Sequence, residues 1–168
     1  MKLRQLAIGG LAAVAAVASA CVAPAPGGGG GPTYTDGPCP DSSGVTVVVD
    51  FTADLSDEQL VRCAIGPQES GLAALLAIGL AINTNAANAE PGTVCTLEGL
   101  PVEGYPYCWL TDGYWSYWRA PSTAGAWDFA PTGPSDGPLV EGTVEGWAWA
   151  QGFVSDGPRL GPDGDPLQ

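Results

Sequence analysis

The stretch "VTVVVDF", residues 45–51, is a β-branched run held between Gly44 and the polar "TADLSDEQ". Short apolar runs of this kind, too brief for a helix and bounded by turn formers, read as buried strands. "LVRCAI" at 60–65 supplies the returning strand. In "SGLAALLAIG", Ser70 stands as N-cap, Leu72, Leu75 and Leu76 share a face, and Gly79 terminates, which predicts a short amphipathic helix. After a polar Asn/Ala loop, "TVCTLEGLP" (93–101) reads as a strand entering a turn. "YWSYWRA" (114–120) reads as another, and "GTVEGWAWAQG" (142–152) as a last one, with Trp147 and Trp149 alternating to the same face. The expected fold is α+β: a small β-rich domain with one helix packed on a mainly antiparallel sheet.

The flanks differ in composition. Residues 1–20 join Lys2 and Arg4 to an uncharged Ala/Val/Leu run ending in small residues, the pattern of a secretory signal. Cys21 follows in "VASAC". This spelling resembles the lipobox of bacterial lipoproteins, whose cysteine is acylated, with Ala18 where Leu is usual; "ASA" is also an ordinary A-x-A cleavage site. Residues 21–38 are Pro/Gly-rich and read as a lipidated cysteine and tether. The domain is expected over 39–154, and 155–168, "SDGPRLGPDGDPLQ", as a disordered tail. Removing Cys21 leaves Cys39, Cys63, Cys95 and Cys108, an even set in an exported chain. Of the three possible connectivities the most local is favoured, Cys39 with Cys63 and Cys95 with Cys108.

Charge excludes whole classes of partner. The chain carries 18 acidic and 5 basic residues and no histidine. Without the signal its cations are Arg62, Arg119 and Arg159. Nucleic acid, which is bound through clustered Lys and Arg, is excluded, and anionic lipid surfaces are disfavoured. Without histidine or C-x-x-C, zinc has no ligand set, and the acidic turns at 135–138 and 156–166 lack EF-hand spacing. No cofactor is expected. The absence of histidine, of lysine beyond the signal, and of G-x-S-x-G or P-loop spacing removes most hydrolase and transferase mechanisms. Carboxylates near the aromatic strands, Asp112, Asp128, Glu141 and Glu145, leave only paired-acid glycoside chemistry. The chain is read as a non-enzyme.

The order of a β-branched strand, "SGLAALLAIG", "CTLEGLP", "YWSYWRA", "GAWDF" and "VEGWAW" resembles secreted actinobacterial surface proteins similar to the transcobalamin-like C-terminal domain family, over roughly residues 44–150. The resemblance implies a small β-rich domain with a helix across its sheet. In cobalamin carriers such a domain closes over ligand together with a separate helical domain. Related bacterial domains occur on surface proteins, some beside vitamin-type uptake systems of the energy-coupling-factor class.

Aromatic residues are concentrated: all except Tyr34, Phe51 and Phe153 fall between Tyr105 and Trp149. Alternation in "YWSYW" places Tyr114, Ser116 and Trp118 on one face and Trp115 and Tyr117 on the other. One set is expected inside, with Trp147 and Trp149. Trp115 and Tyr117, near Trp127 and Tyr107, are taken as the outward set, a stacking platform for a flat ligand or sugar, or a patch for a protein. Arg119 either stacks on a neighbouring ring or pairs with Asp128. The expected ligand-binding residues are Trp115, Tyr117, Arg119 and Trp127. The expected function is that of a lipid-anchored module on the outer face of the membrane, or secreted if Cys21 is not lipidated, that captures a small ligand without turnover. The competing reading is an interaction module contacting an envelope or transporter protein.

Overall fold

A computed structural model of the chain describes residues 31–84, 92–102 and 112–167. The signal segment, Cys21, most of the tether, Tyr105, Tyr107 and Cys108 lie outside the described residues. Gly31–Gln168 forms a compact unit.

The expected strand at 45–51 is β2 (Gly44–Asp50), and it is buried along its whole length. It pairs antiparallel with β3 (Gln59–Ile65) and parallel with β8 (Val144–Gln151). β8 pairs antiparallel with β6 (Gly113–Ala120), while β1 (Tyr34–Asp36) and β7 (Asp128–Phe129) close the sheet in the order β1-β3-β2-β8-β6-β7. A second small sheet joins β4 (Ile82–Asn83) and β5 (Thr96–Leu97). Two helices are described: a single turn, α1 (Thr52–Leu55), and α2 (Gly71–Ala77). Ser70 caps α2 by accepting from the Ala73 amide, and Gly79 leaves the helix at φ +80°. The domain is sheet-rich α+β with a mixed, mainly antiparallel sheet.

Period-two alternation divides the sheet into two dissimilar faces. Val45, Val47 and Val49 of β2 point with Trp115, Tyr117, Trp147 and Trp149 toward α2, where Ala74, Leu75 and Ile78 complete the main core. On the opposite face β8 presents only small or β-branched residues, Val144, Gly146, Ala148 and Ala150, beside Val48 and Ala120. That thin face is covered by the chain's C-terminal stretch.

Two flanking expectations are therefore corrected. Residues 155–167, expected as a disordered tail, pack against the sheet. Leu160 is buried with Val48 and Val144, Ser155 bonds Ser116 at 2.7 Å, and Arg159 clamps the buried Asp50. The physical reason is that Gly146 and Ala148 leave a shallow face on which Trp127, Pro158 and Leu160 seat closely. A Cβ on Gly146 would stand 2.8 Å from the Trp127 ring and 3.0 Å from Pro158. The end of the expected tether, Tyr34–Asp36, is a strand on β3, held by Arg62 over the Tyr34 ring and by an Arg62–Asp36 ion pair at 3.2 Å. The Cys39–Cys63 disulfide forms as the local pairing anticipated. Cys95 is also disulfide-bonded.

Candidate functional site

The four expected ligand residues do not share a surface. Trp115 and Tyr117 were assigned outward, yet they are 5% and 6% exposed and belong to the main core. The reason lies in strand register. β6 opposes β8 with Trp115 across from Trp149 and Tyr117 across from Trp147, so all four project from one face. Tyr117 stacks on Trp147 with centroids 4.7 Å apart, and Trp115 meets Trp149 and Phe51 edge-on. Trp127 packs on the other face, its indole N–H donating to the Leu160 carbonyl at 2.8 Å. The rings nearer solvent are Tyr114, stacked with Phe153, and Trp118, edge-on to Phe129.

Arg119 remains at a candidate site. It shares the core-side face of β6 with Tyr117, one register step beyond the packed rings, and lies opposite Glu145 of β8. Its guanidinium lies over the Tyr117 ring, as one expectation held. Its ion pair is not with Asp128, which it faces across β7, but with Glu145, at 3.2 Å. Alternation explains why: Glu145 follows Trp147 and Trp149 onto the interior face, so its carboxylate is 1% exposed. Oε2 of Glu145 accepts both the Tyr117 hydroxyl and Arg119 Nε.

Buried charge makes this cluster electrostatically unusual. Burial pushes the Glu145 carboxyl above its ordinary range, against the opposing pull of Tyr117 and Arg119. Burial, together with the neighbouring Glu145 charge, pushes the Tyr117 hydroxyl well up, so it stays a donor. Burial acts to lower Arg119, but its bonds to Tyr117 and Glu145 prevail and hold the guanidinium firmly protonated.

A cleft of about 400 Å³ opens over this cluster. Its floor holds Arg119 and Glu145, and its walls include Pro121, Pro131, Pro138, Leu139, Val140 and Asp128. Of the carboxylates singled out in the sequence, Glu145 and Asp128 thus share one hollow. Asp112 lines a different one of about 520 Å³ with Asp54 and Trp149, and Glu141 is exposed. A third, apolar hollow of about 410 Å³ borders the β4–β5 sheet. Among the described residues no group of His, Cys, Asp and Glu is arranged to hold a metal ion.

Glu145 is the residue that sequence reasoning undervalued. The signal was present in "VEGWAW": a carboxylate two residues before a core tryptophan on a strand must point inward. No protein-family profile, curated protein sequence or solved structure matches the chain.

Proposed function

We propose that the protein is an exported binding module of transcobalamin-like type, held at the outer membrane face through Cys21, and that it captures a small ligand in the Arg119–Glu145 cleft without turnover. One observation carries the reading: the ion pair of Arg119 with the buried Glu145 lines a mainly apolar cleft. Binding sites are typically apolar hollows with a few converging polar groups of perturbed acidity. The disulfide agrees with an oxidising compartment.

Binding is tested by fluorescence titration of Gly31–Gln168 against cobalamins, other vitamins and cell-wall sugars, with free tryptophan as the absorbance control. Trp147, stacked on Tyr117 behind the cleft, is the reporter. The expected result is saturable quenching that Thr143→Arg, which fills the cleft, abolishes. Quenching unchanged by that variant, or none across the panel, overturns the reading. Separately, Cys21→Ser should release the full chain from membranes, and continued retention refutes the anchor.

A second reading is favoured by the solvent-facing ring pairs. Phe129 and Phe153 are 53% and 59% exposed beside Trp118 and Tyr114, an apolar surface suited to an envelope or transporter protein.

A further inference from the structure

We propose that the C-terminal stretch, residues 155–167, exchanges between two copies of this chain, so that Arg159 of each copy clamps Asp50 of the other in a symmetric dimer.

The turn that joins this stretch to β8 is strained. Gly152 and Phe153 follow one another at φ +62° and +63°. Glycine tolerates that region, whereas a bulky side chain there is an outlier that stores conformational free energy. The bonds that close the turn are long: the Phe153 amide donates to the Ala150 carbonyl and the Val154 amide to the Gln151 carbonyl, both at 3.3 Å. Although the Phe153 ring rests on Tyr114, Phe153 and Val154 are the most solvent-facing apolar pair of neighbours beside β8. When the turn opens, β8 runs on through 152–154 in an extended conformation, which suits Phe and Val and releases the strain.

Beyond the turn the stretch is a separable piece. Main-chain bonds from the amides of Leu167, Gly161 and Gly164 to the carbonyls of Arg159, Asp165 and Gly161 fold it on itself. Among the described residues, no bond between main-chain groups ties 155–167 to the sheet. Side chains and fit hold it instead. Arg159 pairs with Asp50 and Asp57, Leu160 packs on Val48 and Val144, and the Trp127 indole N–H donates to the Leu160 carbonyl. All of these partners lie between Val48 and Val144, and a second copy presents the same set. Exchange therefore keeps each docking contact and removes the strained turn twice per dimer. Swapping an identical element is a low-cost route to a dimer for this reason. Lost translational freedom opposes it, so the dimer is concentration-dependent.

The test uses Gly31–Gln168, opened in urea below its unfolding transition and returned to buffer at up to about 1 mM, enough to register a millimolar dissociation constant. Size-exclusion chromatography with light scattering should then show a dimer. Two turn variants should move the equilibrium in opposite directions. Phe153→Gly, which accepts a positive φ without strain, should weaken the dimer by at least about tenfold. Gly152→Val should strengthen it by at least about tenfold, because a β-branched residue resists φ +62° and favours extension. A Cβ at Gly152 meets nothing within 4 Å, so that substitution acts through the backbone. In a dimer formed from mixed ¹³C-labelled and unlabelled protein, isotope-filtered NOEs should join the Leu160 methyls of one copy to the Val48 and Val144 methyls of the other. Wild type that stays monomeric at about 1 mM overturns the exchange, whatever the variants do. So does a dimer without those intermolecular NOEs, which pairs through another surface. Variants that shift the equilibrium in the same direction also overturn it, since a general loss of stability would act alike on both.

Discussion

Arg159→Ala is the perturbation that reports most directly on how the C-terminal stretch is held. Asp50 is fully buried at the end of β2, and its two oxygens accept Nε, Nη2 and the main-chain N–H of Arg159, with the closest approach at 2.7 Å. The Thr52 amide adds one more donor at 2.9 Å. Removing the guanidinium leaves a buried carboxylate with main-chain donors alone. Breaking a buried pair from one side costs about 3–5 kcal/mol. The Arg159 side chain is 43% exposed, so water would replace part of it, and the expected loss is about 2–3 kcal/mol. In urea, with a slope of about 1.5 kcal/mol/M, the unfolding midpoint of Gly31–Gln168 should fall by roughly 1.5 M. Adding Asp50→Asn removes the stranded charge and should restore part of the loss. Acid gives a second readout. Burial raises the Asp50 carboxyl, but its bonds to Arg159 and Thr52 outweigh that and hold it below the ordinary value. Its contribution is therefore present above the unfolded value, about 3.9, and is lost as pH falls through the lower folded value. The gap between wild type and Arg159→Ala should narrow below about pH 4. A loss under about 0.5 kcal/mol at neutral pH, the scale of an ordinary surface change, would refute the clamp.

Gly146→Val should destabilise by about 1–3 kcal/mol through overpacking against Trp127 and Pro158, detected as a lower melting temperature with a changed Trp127 indole resonance; an unperturbed resonance would contradict the packing. Trp115→Ala should cost about 3–5 kcal/mol as a core deletion, measured by urea unfolding, whereas a merely surface-exposed ring would cost far less. Burial raises the Glu145 carboxyl above its unfolded value, so its contribution to stability is complete below about pH 4.3 and is lost as pH rises through the folded value. Glu145→Gln should accordingly gain stability relative to wild type as pH rises, and a pH-independent difference would contradict this sign.

The candidate site was legible only in fragments. "YWRA" and "VEGWAW" each announced a strand, and alternation within each was correct. What alternation could not supply was the pairing between them. Once Tyr117 stands opposite Trp147 and Arg119 opposite Glu145, the rings face inward and the ion pair is forced to the rim of the same core. Trp115 and Tyr117 were misassigned for this reason: each strand carries rings on a plausible outward face, and the choice between faces is made by what covers the sheet.

Local order in this chain is written locally. The β-branched run of β2, the Ser70 cap and Gly79 terminator of α2, and the Trp147/Trp149 alternation follow from side-chain sterics and hydrogen bonding within a few residues. The short Cys39–Cys63 loop belongs with them. The tertiary structure alone decided the fate of "SDGPRLGPDGDPLQ". Its composition, rich in Gly, Pro and Asp, has little apolar surface of its own to bury. It orders because a distant strand offers Asp50 to Arg159, 109 residues away, and a shallow face of glycine and alanine to Pro158 and Leu160. Burial and charge pairing are properties of neighbours in space, and no window along the chain contains both partners.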